Sequence, residues 1–367
     1  MTGFVLLRVR AHRLLLTAAL LTVLLTTSVL ATFTAFTSAI GDAALRRTLQ
    51  HQAAGQATVE VTASVSGVDR RALDSAVRKT VGGAFAGLPS TVVSSTRSGP
   101  YGLPFALRPA GASKSTDPDL TLLATFDRAR LTLVDGAWPG AAAAGGTGPV
   151  DVAVPAAVAQ ALKLHPGTLI TLTDRLGGKP LHIRVSGVYK PVDRTAPYWH
   201  LDPLGGRGIH TVAFTTFGPM LADPGTFTSG RVAAAAMSWQ AAGDFATATS
   251  GRIDALENGV RQAIGNLRGD EATSSTEASS GLPALLEGLR RSMLVTRSTL
   301  LISALQLVIL AGFALLLVAQ LLAEERAGET ALLRARGGSR ARVARLAAGE
   351  ALLLALPAAL VAPLLAG

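Results

Sequence analysis

From Ser298 to Ala323 the chain runs without one charged side chain, and about twenty such residues are what a helix needs to cross the hydrocarbon core of a bilayer. Two more runs share this character. Residues 14–41 are uncharged and rich in Leu, Ala and Thr, and residues 346–367 are interrupted only by Glu350 and contain Pro357 and Pro363. Lipid offers the backbone no hydrogen-bond partner, so segments of this length are expected as helices, which satisfy their own amides.

Charge supports that reading. The 367 residues carry a formal net charge of +10, which could suggest a nucleic-acid partner. Residues 41–290, however, hold nearly equal numbers of basic and acidic side chains. The excess lies in Arg8, Arg10 and Arg13, in Arg291 and Arg297, and in the arginines between positions 324 and 345. Basic residues gathered beside apolar runs follow the positive-inside pattern and attract anionic lipid; they do not form a nucleic-acid footprint. Arg8, Arg10, His12 and Arg13 precede the first run, which is expected to stay as an anchor with the N-terminus inside. A cleavable signal peptide usually has a shorter apolar region, about 7 to 15 residues. With no cysteine, the chain can form neither a disulfide framework nor a thiolate metal site.

Between the second and third runs lies EERAGETALLRARGGSRARVAR, residues 324–345. Glu325, Glu329, Leu332, Leu333 and Arg336 recur at three- and four-residue steps and so share one face of a helix. Gly337 and Gly338 are expected to stop it, and Ser339 can cap a following helix. This stretch resembles the cytoplasmic loop of the FtsX-like (MacB-like) permease family of ABC transporters, in which E-x-A-L-L-R-A-x-G-[AG]-S-x-x-x-V follows the second membrane helix. Glu329, Ala331, Leu332, Leu333, Arg334, Ala335, Gly337, Gly338, Ser339 and Val343 carry the match. Arg336 stands where the family more often has an apolar residue, and Glu350 is similar in position to a glutamate of the family's third helix.

The resemblance implies several things together. The protein would be a non-catalytic permease subunit in a bacterial plasma membrane, multi-pass, coupling ATP hydrolysis by a separate ATP-binding subunit to movement of an outer domain. A second permease unit and membrane lipid would be its other partners, and ATP would be bound by the ATPase alone. Coupling would pass through Glu325, Glu329, Leu332, Leu333, Arg334, Gly337, Gly338 and Ser339. The family's usual four membrane helices imply that further helices lie beyond this sequence.

The expected fold class is therefore a membrane protein with α-helical spans and a mixed α+β extracytoplasmic domain inserted between the first and second. The expected order is a cytoplasmic N-terminus (1–13), helix 1 (14–38), the outer domain (42–282), an amphipathic stalk (283–297), helix 2 (298–323), the coupling segment (324–345) and helix 3 (346–367). Inside the outer domain, Val59, Val61, Ala63 and Val65 alternate as in a half-buried strand. Asp69 can cap a helix carrying Leu73, Val77, Val81 and Phe85. Further strands are expected at 91–95, 120–126, 150–154, 168–173, 181–188 and 210–217, with a short helix at 155–164. Residues 98–119 read as irregular. LVDGAWP (133–139) and VAVPAAVAQALKLHPGTLITL also resemble segments of the family's outer domain. Ile253, Leu256, Val260, Ile264 and Leu267 line one face of a helix in which Glu257 supports Arg261. Residues 269–281 read as a flexible linker. Leu285, Leu286, Leu289 and Met293 form a stripe leading without a break into the second apolar run.

Motifs of catalysis were sought. The string Gly177-Gly178-Lys179-Pro180 lacks both the earlier glycine and the hydroxyl of a phosphate-binding loop. None of the six histidines has metal-ligand spacing, and no G-x-S-x-G elbow occurs. No enzymatic activity, cofactor or metal is expected. Tyr198 and Trp199, in PYWHLDP, are a possible substrate or partner loop, although aromatics of this kind more often pin a loop to its own domain. Two other classes remain open: a membrane sensor with an extracytoplasmic ligand-binding domain, and a membrane-anchored assembly protein.

Overall fold

A computed structural model describes residues 13–108, 117–142, 145–212 and 214–325. The chain divides into a unit of residues 46–287 and a unit made of the segments on either side.

In the flanking unit, α1 (Arg13–Arg47) contains the shorter apolar stretch Leu24–Phe33. A long helix, Leu282–Glu325, ends the described chain, and Leu282–Leu317 is long and apolar enough to cross a membrane. Its side chains at Leu301, Ile302, Leu305, Ile309, Leu310 and Phe313 are all exposed. Large apolar residues bared around the uncharged stretch Ser298–Ala323 suit a hydrocarbon surround and would be costly in water.

The 46–287 unit is an α+β domain. A single π-type turn, Thr48–Gln52, leads to β1 (Thr58–Ser64), whose alternating residues Val59, Val61 and Ala63 are buried as the pattern requires. The carboxylate of Asp69 accepts from the Arg71 and Ala72 amides and so starts α2 (Arg70–Gly82), which buries Leu73, Val77 and Val81. Next come β2 (Ser90–Ser98), β3 (Tyr101–Gly102), β4 (Leu120–Ala124), β5 (Leu131–Gly136) and β6 (Val150–Pro155). The short helix α3 (Ala156–Leu162) ends at Lys163, which takes a left-handed conformation, φ 54°.

The chain continues through β7 (Leu169–Asp174), β8 (Leu181–Pro191), β9 (Ile209–Thr211), β10 (Thr215–Leu221), α4 (Pro224–Thr228) and β11 (Ala234–Gly243). It closes with α5 (Ile253–Gly269), β12 (Thr276–Ser280) and α6 (Leu282–Glu325).

Among the described residues the strands join in the order β12-β1-β11-β2-β4-β3-β7-β8-β6-β10-β9, with β5 beside β8. The order has two parts. β12, β1, β11 and β2 form an open antiparallel sheet, with α2 in contact with β2 and β11, and α5 with α2 and β12. β4, β3, β7, β8, β6 and β10 close on themselves, because β10 pairs in parallel with β4 (Thr216 opposite Leu120). That closed ring is built entirely from residues between β2 and β11. It surrounds a core that includes Val150, Val152, Val154, Ile183, Val185 and Met220.

Two expectations need correction. Residues 210–217 are not one strand: β9 and β10 form a hairpin with Thr211 opposite Thr215, because the chain reverses between them. Residues 269–281 are not a flexible linker. Thr273 Oγ1 donates to the Leu267 carbonyl, and β12 pairs along β1 with Val59 opposite Ser280. Thr276 and Ala278 are thereby buried.

Two glycines of α5 provide a test of the packing. A Cβ at Gly259 would meet the Ala84 carbonyl oxygen, whereas one at Gly265 would meet nothing within 4 Å. Gly265→Ala should stabilise the domain by about 1 kcal/mol through helix propensity, and Gly259→Ala should destabilise it despite the same propensity gain. Denaturant unfolding followed by tryptophan fluorescence reads both, and equal effects at the two positions would refute this packing.

Candidate functional site

The segment between β8 and β9 crosses the domain as a strap. Pro197 occupies the first turn of a 3-10 helix, Pro197–Leu201, where its missing N–H costs nothing. Tyr198, Trp199 and Leu201 turn inward and are buried. The Tyr198 hydroxyl accepts from the Asp127 amide at 2.7 Å, and Trp199 Nε1 donates to the Asp193 carbonyl at 2.7 Å. Phe126 meets both rings edge-on, with centroids 6.4 and 5.4 Å away. The aromatic pair therefore anchors the strap, and the residue it presents outward is His200, half exposed.

Two contacts tie the strap to the open sheet. Gln240 Nε2, on β11, donates to the Pro197 carbonyl at 2.7 Å, and His200 Nδ1 meets Glu60 Oε1 on β1. Beyond the 3-10 turn, Asp202 folds the chain back: its two carboxylate oxygens accept from the Leu204 amide at 2.9 Å and the Gly206 amide at 2.7 Å. Gly206, at φ 69°, packs its Cα side against the Trp199 indole, where a Cβ would come within 3.0 Å of the ring.

Asp202 is 4% exposed, and this burial pushes its pKa up to about 6, although the two amide bonds and the charge of Arg97 pull the other way. Tyr189 is wholly buried nearby. Its pKa is raised by burial and then by the Asp202 charge, and its hydroxyl donates to the Pro219 carbonyl at 2.8 Å.

Under the strap lies a cavity of about 290 Å³. Its floor is the face of the open sheet formed by alternate residues Thr58 of β1, Thr91 and Val93 of β2, and Gln240 and Ala242 of β11. One end is closed by Ala196, Pro197 and Tyr198, with the Arg130 guanidinium 5.7 Å from the Tyr198 ring centroid. At the other are Asp244 and Phe245, and the turn after α1 contributes Leu49 and Gln50. Arg130, Gln240 and Phe245 carried no signal in the sequence. Arg130 is far in sequence from Gln240 and Phe245, and only the fold brings it to them.

Of the residues read from the sequence as site residues, the structure gathers Tyr198 and Trp199 at this strap. Glu329, Leu332, Leu333, Arg334, Gly337, Gly338 and Ser339 lie outside the described residues, as does residue 336. Glu325 ends α6. Among the described residues no group of three His, Asp or Glu side chains converges as a metal ion would require.

Residues 301–366 match the family model of the FtsX-like permease C-terminal domain. The match begins inside α6 and covers the stretch that resembles the family's cytoplasmic loop. It supports a permease-type role and a membrane location. A comparison with curated proteins gave no match.

Asp202 gives the strap a pH signature. Its pKa is higher in the folded domain than in the unfolded chain, so the folded state retains a proton that the unfolded state has released. Stability should therefore fall as pH rises from about 4 to about 6, by about 3 kcal/mol at most from this group. Asp202→Asn should remove that slope in a series of urea titrations, and an unchanged slope would show that another group sets it.

Proposed function

We propose, from the FtsX-like permease domain at 301–366, that the chain is a non-catalytic permease subunit of an ABC transporter. In this reading residues 46–287 lie outside the cytoplasm, the N-terminus lies inside, and a separate ATP-binding subunit engages residues 324–345. Nucleotide binding and hydrolysis there close a pair of permease units, and the motion is carried outward to export or extract a cargo or to signal across the membrane.

The observation that carries the reading is the continuity of α6. Leu282 and Leu286 are fully buried in the domain, and the same unbroken helix includes the uncharged run Ser298–Ala323 and the start of the family match. A helix is stiff along its axis because each turn is bonded to the next. In this reading a tilt imposed at its far end is passed to Leu282, which follows β12 by two residues, and β12 is bonded to β1. The Leu282 amide donates to Ser280 Oγ, which itself donates to the Thr58 carbonyl, so helix, β12 and β1 meet at one hydroxyl.

The test begins with the tagged protein captured from native membranes, with the co-purifying proteins identified by mass spectrometry. A stoichiometric ABC ATPase is expected. A variant carrying Glu329→Ala, Arg334→Ala and Gly337→Val should lose most of that ATPase while the permease chain accumulates normally. Intact chain without an ATPase, or full retention by the triple variant, would overturn the assignment of the coupling segment.

A further inference from the structure

We propose that the cavity beneath the strap binds a small carboxylate with an apolar body. Its use as a cargo or control site rests on the permease reading above, whereas the binding itself rests only on the geometry of the 46–287 domain.

The charge comes from Arg130. Arg130 is exposed, its guanidinium lies 5.7 Å from the Tyr198 ring centroid, and among the described residues no carboxylate lies within ion-pair distance of it, so its N–H donors are open to a ligand. The neighbouring polar group at that end, the Gln240 amide, gives one of its N–H bonds to the Pro197 carbonyl. A planar carboxylate matches the guanidinium fork, accepting two parallel N–H bonds. The opposite end carries Asp244, just past the end of β11 and four residues beyond Gln240, so roughly 13 Å away. Its Oδ1 already accepts from the Ala246 amide. Of the charged residues that line the cavity, Arg130 lies at the strap end and Asp244 at the other, while Glu60 beside the strap is occupied by His200, which sets the ligand's direction: anion toward Arg130, apolar body toward Phe245 and Leu49.

Part of the lining is apolar. Leu49, Ala57, Tyr198 and Phe245 are each buried within the domain yet line the cavity. A volume of about 290 Å³ lies near the lower end of small-molecule sites, about 300–1,000 Å³, so it takes one short chain or one ring system and not a folded partner. The position of the wall adds a consequence. Leu49 and Gln50 belong to the turn that directly continues α1, so a ligand filling the cavity fixes where that turn sits.

The test uses the full chain in lipid nanodiscs, titrated with octanoate and followed by saturation-transfer NMR, with empty nanodiscs subtracted for partition into the bilayer. Saturable binding is expected, with 1-octanol binding more weakly. Arg130→Gln should weaken octanoate by about tenfold or more, and Ala242→Phe, which fills the floor and leaves Arg130 in place, should abolish binding. Thr91→Trp, at the exposed floor position opposite Ala242, serves as the filling variant if Ala242→Phe fails to fold. No saturable binding to the wild type, equal affinity for octanol, or octanoate binding that survives both changes would each overturn the site. ATPase capture by the same wild-type protein reads the permease role separately, so the loss of one conclusion leaves the other measurable.

Discussion

Strand β11 is the constraint on which the domain depends. The chain leaves the open sheet at the end of β2, builds the whole closed ring, and returns at Ala234 to run between β1 and β2. Nine residue pairs hold it to β2 and seven to β1, so its amides and carbonyls are satisfied on both sides only when the ring has brought the chain back to the right place. Trp239, at its middle, is 1% exposed and donates from Nε1 to Asp74 of α2 at 2.7 Å. The same Asp74 holds Arg78, which reaches the Val92 carbonyl and Ser94 of β2. One central strand thus fixes the helix layer on one face, and on the other it provides the floor of the cavity.

The strap completes this arrangement from the opposite side. It is anchored by buried aromatics in the core beside the ring, and it reaches the open sheet at Gln240 and Glu60. The ring is therefore joined to the sheet by the chain crossings and also by a polar clasp. A buried carboxylate, Asp202, holds the shape of the clasp, and its desolvation makes that shape sensitive to acidity.

Local chemistry was legible in the sequence, and assembled chemistry was not. Asp69 signalled its helix because capping needs only neighbouring amides, and the four-residue repeat of Leu73, Val77 and Val81 marked the buried face. Ile253, Leu256, Val260 and Leu267 did the same for α5, where Ala263 takes a core place and Ile264 only a partial one. Strand β11 escaped notice because AAAMSWQAAG has no β-branched residue; its two neighbours impose the extended state that its composition does not request. TEASS reads as part of a linker for a related reason. Short polar edge strands resemble loops until a partner fixes their register. The cavity could not be foreseen, since β1, β2, β11, the strap and Arg130 are far apart in sequence. The permease-like stretch was readable because its pattern is confined to about twenty adjacent residues.

The pairing of β1 with β12 has a further consequence. The first strand of the domain and its last are antiparallel neighbours, with Val59 opposite Ser280, so the polypeptide enters and leaves the domain at adjacent points. A module with adjoining ends can be inserted into a host, enlarged or exchanged without altering the spacing of the segments that carry it. Such a junction also decides how a pull is borne. Tension between entry and exit runs along this ladder, and it falls first on the bonds nearest Val59 and Ser280, where the strands would part as a zipper does, beginning with the Ser280 hydroxyl.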